Sequence, residues 1–146
     1  MEKLAHYLEL RTLQYPAEDT SKVKKAINNL LELDEETLEE RLETEELESQ
    51  EGATIKKHEY RTERWSEVKE LMKKIFREIE KPEELYNHLD EEEGEFYIRL
   101  DKQKLHQGNL KLSKKGDVIH IKIKIASYPF RKEKIKKNLE KLIKTE

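Results

Sequence analysis

The stretch VIHIKIKIA at 118–126 constrains the fold more than any other part of the chain. Isoleucines at 119, 121, 123 and 125 alternate with His120, Lys122 and Lys124. A period of two is that of a β-strand, whose successive side chains point to opposite faces. One face is wholly apolar and the other basic, so the strand belongs to a sheet that is buried on one side and open on the other. Such a strand needs neighbours for its backbone hydrogen bonds and a covering layer for its isoleucines.

The rest of the chain offers both. EFYIRL sets Phe96, Ile98 and Leu100 inward, with Tyr97 and Arg99 outward. AHYLELRTL sets Leu8 and Leu10 against Tyr7, Glu9 and Arg11, again a half-buried strand. ATIKKHEYRT reads as a further strand. The covering layer comes from apolar stripes at helical spacing. Val23, Ala26, Ile27, Leu30 and Leu31 follow the helix-start residues Asp19 and Thr20. Trp65, Val68, Leu71, Met72, Ile75, Phe76 and Ile79 form the strongest stripe, with Thr62 as its expected cap and Pro82 as its stop. Pro82 can open a short second helix containing Leu85 and Leu89. A last helix, from about Pro129, carries Ile135, Leu139, Leu142 and Ile143. SKKGD is a turn around Gly116.

Residues 32–51 hold eleven acids and one basic residue, Arg41, and fit neither period. Strong helix formers argue against a strand there, while topology favours one near 40–48, turning at SQEG into the strand that follows. The strand is the expectation adopted. Strands separated by helices, with hairpin-length links between several of them, predict an α+β fold. The expected sheet is antiparallel, of about five strands, with helices packed mainly on one face. No repeat or Gly/Ser linker divides residues 1–146, so one domain is expected.

Charge raises the question of whether the chain folds at all. Charged residues are 43% and apolar ones 34%, against roughly 25% and 45–50% in an average domain. Leu, Ile, Val and Phe still number 36 and are periodic, which predicts a small core under a very charged skin. Lys outnumbers Arg 23 to 7, a skew found in hyperthermophile proteins and also produced by AT-rich genomes. The absence of cysteine excludes disulfides, thiol catalysis and thiolate metal sites. The start MEKLAHYLEL lacks a signal-peptide core, and no apolar run approaches the roughly 18 residues of a membrane span. A cytoplasmic protein with no membrane partner is the expectation.

The charges are unevenly distributed. Residues 1–98 carry 15 basic and 28 acidic side chains, a balance of −13, whereas residues 99–146 carry 15 and 5, a balance of +10. Such asymmetry points to a basic surface for an anionic partner, unless the two regions neutralise each other in the fold. On the strand at 118–126, Lys122 and Lys124 stand about 7 Å apart on the outward face. Tyr97 and Arg99 face outward on a neighbouring strand candidate. Cations interleaved with an aromatic ring suit unpaired nucleotides, although an ordinary solvated sheet face has the same pattern. In SYPFRKEK, Arg131 and Lys132 crowd a helix start, where a cation opposes the dipole and a phosphate would be welcome; Glu133 offsets part of that cost. Lys102 and Lys104 lie in the polar connection RLDKQKLHQG.

Catalysis has little support. His6, His58, His88, His106 and His120 fall on different elements, without metal-ligand spacing, and read as surface or cross-strand residues. Four glycines form no phosphate loop. No enzyme activity, metal or cofactor is expected.

Three passages carry a likeness: HYLELRTLQYPAEDTSKVKKAINNLL, YIRLDKQKLHQGNLKL and DVIHIKIKIASYPFRKEK. Together, and in this order, they resemble an archaeal family of RNA-binding-domain proteins that are predicted exosome subunits. The most distinctive parts are Asp-Lys-Gln followed by a Gly, and Tyr-Pro before a basic helix start. The acidic 32–51 segment and ATIKKHEY match only loosely. The resemblance implies an α+β fold similar to the large-subunit ribosomal protein that contacts 5S rRNA, no known reaction, and relatives that form dimers.

The expectation is therefore a non-catalytic RNA-binding accessory protein, with exosome or ribosome components as possible partners. Its candidate contacts are Tyr97, Arg99, Lys102, Lys104, Lys122, Lys124, Arg131 and Lys132. The alternative is a homodimeric protein-interaction module, in which the acidic 32–51 segment meets the basic region of another chain and RNA plays no part.

Overall fold

The computed structural model describes residues 3–79, 82–127 and 129–144. In chain order the elements are β1 (Ala5–Gln14), α1 (Thr20–Leu31), α2 (Glu35–Arg41), β2 (Glu43–Glu48), β3 (Thr54–Thr62) and α3 (Trp65–Glu78). A 3₁₀ helix (Pro82–His88), β4 (Leu89–Asp90), β5 (Glu95–Asp101), α4 (Lys102–His106), β6 (Val118–Ile125) and α5 (Lys132–Ile143) follow. Among the described residues six strands form one sheet, ordered β2-β3-β1-β6-β5-β4. The fold is α+β with an antiparallel sheet, as the alternation predicts. The strand beyond the expected five is β4, a two-residue edge that pairs Leu89 with Phe96 and Asp90 with Glu95.

The chain divides into two compact units. One, here the terminal unit, comprises Met1–Glu9, Thr62–Ile98 and Ile121–Glu146; the inserted unit comprises Leu10–Arg61 and Arg99–His120. In the terminal unit Leu8, Phe96, Ile98, Ile121, Ile123 and Ile125 are buried. So are Val68, Leu71, Met72 and Ile75 of α3, and Ile135, Leu139 and Leu142 of α5. Helix α3 packs against α5. Thr62 is not the helix cap: Arg64 holds that position, and the Thr62 hydroxyl accepts the Arg64 N–H at 3.1 Å while donating to Glu67. Helix α5 begins at Lys132, three residues beyond Pro129, because the Ser127 hydroxyl accepts the Arg131 N–H at 3.1 Å and donates to the Pro129 carbonyl at 2.9 Å. That bonding leaves Arg131 as the cap.

In the inserted unit α1 packs against α4, and Asn29 Nδ2 donates to the Leu105 carbonyl at 2.7 Å. The acidic segment holds two elements, a short helix and after it the strand expected near 40–48. Asp34 accepts the Thr37 N–H at 2.8 Å and caps α2, and only from Glu43 does the chain extend as β2. Every residue of β2 is exposed, so no apolar period betrays it. Its hairpin with β3 pairs Thr44 with His58 and Leu47 with Ile55, and closes at Ser49, whose N–H donates to the Ala53 carbonyl at 2.8 Å.

Candidate nucleic-acid interface

The eight expected contact residues divide between the units. Tyr97, Lys122, Lys124, Arg131 and Lys132 belong to the terminal unit; Arg99, Lys102 and Lys104 belong to the inserted unit. The asymmetry along the chain also dissolves in space. The terminal unit has 16 basic and 17 acidic residues and the inserted unit 14 and 16, balances of −1 and −2.

In the terminal unit the strand alternation places Lys122 and Lys124 outward, but the acid run at 91–95 meets them. Lys122 Nζ lies 3.4 Å from Glu9 and 3.9 Å from Glu95, and 5.8 Å from the centre of the Tyr7 ring. Burial pulls its pKa down, yet Glu9, Tyr7 and Glu95 outweigh burial and raise it above the usual lysine range. Lys124 donates to the Glu93 carbonyl, Lys132 pairs with Glu92, and Lys136 lies 3.0 Å from Glu91. The bond to Glu92 and its charge raise Lys132 as well. Tyr97 donates its hydroxyl to Glu95; that bond, then burial and the neighbouring carboxylates, push the phenol up to about 12. Arg131 is exposed, with no carboxylate in ion-pair range among the described residues.

Gly94 allows the acid run this close. Its φ is +69°, and a Cβ there would sit 2.9 Å from Ile135 Cδ1 and 3.3 Å from the Phe130 ring. Phe130 is 51% exposed, so it is a surface ring rather than part of the core.

The inserted unit is arranged differently. Lys102, only 2% exposed, lies inside it. Its ammonium donates to the Leu13 carbonyl at 2.6 Å and to Glu18 at 2.9 Å, and pairs with Asp117 at 2.7 Å. It also stands 5.7 Å from the centre of the Tyr15 ring. A buried ammonium with these partners braces the turn after β1 and the start of β6 from within. His58, which sits across from Thr44, is fully buried. Its Nε2 lies 2.8 Å from Gln14 Oε1 and its Nδ1 2.9 Å from the Thr44 hydroxyl, while Gln14 Nε2 donates to Thr20 at 2.8 Å. With the Gln14 oxygen accepting, the imidazole is the neutral Nε2–H form. Burial, with the charges of Lys24, Lys56 and Lys102, lowers its pKa to about 4.

The open cations of this unit lie on its sheet surface. Strand β6 runs between β1 and β5. Leu10, Thr12, Leu100 and Ile119 are buried, so alternation puts Arg11, Arg99 and His120 on the other face. Leu112 pairs with Leu100, and the Ser113 N–H donates to the Arg99 carbonyl at 3.0 Å. Directly paired residues share a face, so Lys111 and Ser113 join Arg99. Arg11, Arg99 and Lys111 are exposed, and none has a carboxylate in ion-pair range among the described residues. Lys104 on α4 is likewise exposed and unpaired among them. His120 is held below the usual histidine range by burial and then by the charges of Arg11 and Arg99. At the far side of the sheet the charges are already satisfied, since Lys57 sits between Glu59 at 3.1 Å and Glu45 at 3.4 Å.

The sequence marks Arg11 and His120 as outward-facing but gives no reason to group them with Arg99, because the strand order β1-β6-β5 is not local information. Among the described residues no cluster of three metal-ligating side chains occurs, and no helix is long and apolar enough to cross a membrane.

Residues 7–125 match the model of a family described as RNA binding. The chain is 29% identical over 147 aligned residues to RNA-binding protein PAB1135 of Pyrococcus abyssi, a match covering 97% of this chain and 96% of that one. Among solved structures it is similar to Mth689, a DUF54 protein from Methanothermobacter thermautotrophicus. That match has a TM-score of 0.79 and 30% identity, over 97% of this chain and 99% of the other. The fold is also that of AF2318 from Archaeglobus fulgidus, with a TM-score of 0.78 and 24% identity over 94% and 99% of the two chains.

Proposed function

The chain belongs to the RNA-binding family, and we infer from that membership that it holds RNA by the phosphate backbone on the open sheet surface of the inserted unit. Arg11, Arg99 and Lys111 would meet phosphate oxygens, with Lys104 beside them. The observation that carries this reading is the pair of exposed arginines flanking His120, with no carboxylate in ion-pair range among the described residues. A guanidinium presents a planar fork of donors suited to phosphate and is more weakly hydrated than an ammonium. Lys122, Lys124 and Lys132 would first have to leave their carboxylate or carbonyl partners, which makes them secondary contacts. Arg131, with no carboxylate in ion-pair range among the described residues, would join them.

The role is non-catalytic, at one domain spanning residues 1–146. The resemblance in sequence supports service as an accessory to a larger cytoplasmic RNA assembly, exosomal or ribosomal. A single cooperative unfolding transition tests the one-domain part of this reading.

Binding to an RNA hairpin across a salt series tests the rest. Each phosphate contact adds about −0.7 to the log–log slope on single strands and about −0.9 on duplex, the latter taken from B-DNA. Arg11→Ala combined with Arg99→Ala should weaken binding and flatten the slope by roughly two contacts. Lys122→Ala combined with Lys132→Ala should change it far less. No binding at about 50 mM salt, where such contacts are strong, would overturn the reading.

A second reading, a homodimeric interaction module, is favoured by β2, an edge strand whose exposed residues include Glu43, Glu45, Glu46 and Glu48. Its unpaired backbone edge and negative charge would suit a basic segment of a second copy. A dimer that dissociates in salt and ignores RNA would favour it.

A further inference from the structure

We propose that His120 takes up a proton when RNA occupies the Arg11–Arg99 surface, so that this protein binds RNA more tightly as pH falls. The inference rests on the RNA-binding reading above and adds regulation to the same site.

The argument begins with position. His120 stands on the middle one of three adjacent strands, half-buried, with an exposed arginine on the strand to either side. Neighbouring strands lie about 4.8 Å apart and directly opposed side chains approach about 5 Å, so both guanidinium charges act on the imidazole. On the same face Lys111 and Ser113 follow beyond Arg99. Further along β1 and β6, Glu9 and Lys122 answer each other at 3.4 Å. Asp101, two residues beyond Arg99, accepts the Lys104 N–H at 2.9 Å and caps α4. No anion therefore faces His120 directly from β1 or β5, and in the free protein burial and then the two arginines hold its pKa below the usual histidine range.

A phosphodiester between the arginines reverses that field. It brings a fixed negative charge and acceptor oxygens, and it has no proton of its own to lose near neutrality. An imidazolium beside it gains a charge-assisted hydrogen bond that the neutral ring makes only weakly. The pKa of His120 then rises on binding. Between its free and bound values the complex holds more protons than its separated parts, and linkage makes affinity climb as pH drops. Each unit of rise is worth about tenfold in affinity once pH lies below both values.

The test uses the full chain and a 16-base-pair RNA hairpin at constant ionic strength, between pH 7.5 and 5.5, with circular dichroism to confirm the fold. Affinity should increase about tenfold over this range, and calorimetry in two buffers of different ionisation enthalpy should register uptake of up to one proton. His120→Gln should flatten the pH profile, and His120→Lys should flatten it while binding tightly at pH 7.5. A pH-independent affinity in the unaltered protein, or an unchanged pH profile in His120→Gln, would overturn the proposal and leave the RNA-binding reading standing. Failure to bind at every pH would overturn both.

Discussion

Lys122 and Arg99 both point outward from long β-strands, yet their surroundings differ in kind. Lys122, in the terminal unit, is bracketed by Glu9, Glu95 and the Tyr7 ring. Arg99, in the inserted unit, has a second arginine and a histidine for neighbours on its face. The first lysine is part of a neutralised surface, and the second site gathers cations without a carboxylate in ion-pair range among the described residues. The comparison teaches that positive charge counted along a chain is not positive potential in space. The basic C-terminal third answers the acid run at 91–95, whereas two isolated arginines 88 positions apart, at 11 and 99, make the more open cationic site.

The contrast between a buried cation and an open one can be broken most sharply at Lys102. Lys102→Ala would leave Glu18 and Asp117 near each other without their counter-ion, and should cost about 3–5 kcal/mol in urea unfolding. A loss below about 1 kcal/mol, the scale of an exposed pair, would return Lys102 to the list of RNA contacts. His58 probes the same interior by pH. Its folded pKa of about 4 lies below the 6.5 of the free side chain, so the unfolded chain binds the extra proton between those values. Stability contributed by the neutral ring is full above pH 6.5 and is lost as pH falls toward 4, by up to about 3 kcal/mol. Equal unfolding midpoints at pH 7 and 4.5 would show that the Thr44–His58–Gln14 chain does not resist protonation.

Gly94→Ala tests why the terminal unit is neutral. Its positive φ and the 2.9 Å approach to Ile135 should cost about 1–3 kcal/mol. A substitution that costs nothing would mean that the acid run is held against α5 by its charges alone. The smallest effect is expected from Glu91→Gln with Glu92→Gln, which frees Lys136 and Lys132. RNA affinity should rise by no more than several-fold, since each exposed pair is worth about 0–1 kcal/mol. A larger gain would shift the interface toward the terminal unit.

Much of the architecture is legible in the residues because its signals are local. The isoleucines of β6, the alternation in β1 and β5, and the stripes of α1, α3 and α5 each report one buried face. Where no face is buried the reading falters. The seven residues of α2 bury only Leu38, so that helix emerges only from the Asp34 cap; β2 buries nothing, and the strand that topology alone places near 40–48 gets its bounds from the pairing with β3. Lys102 shows the same limit from the opposite side. As a lysine in a polar connection it reads as solvent-exposed, and only the convergence of Leu13, Glu18 and Asp117 takes it inside.

By itself, then, the sequence determined that this protein is an α+β chain with one-sided strands, a small core and a highly charged skin, because hydrophobic period and composition are properties of neighbours in the chain. Which charges meet was decided by tertiary structure alone. Electrostatic energy depends on distance through space, and the order β1-β6-β5 brings Arg11, His120 and Arg99 together while the turn at Gly94 lays glutamates against the lysines that sequence alone would have chosen.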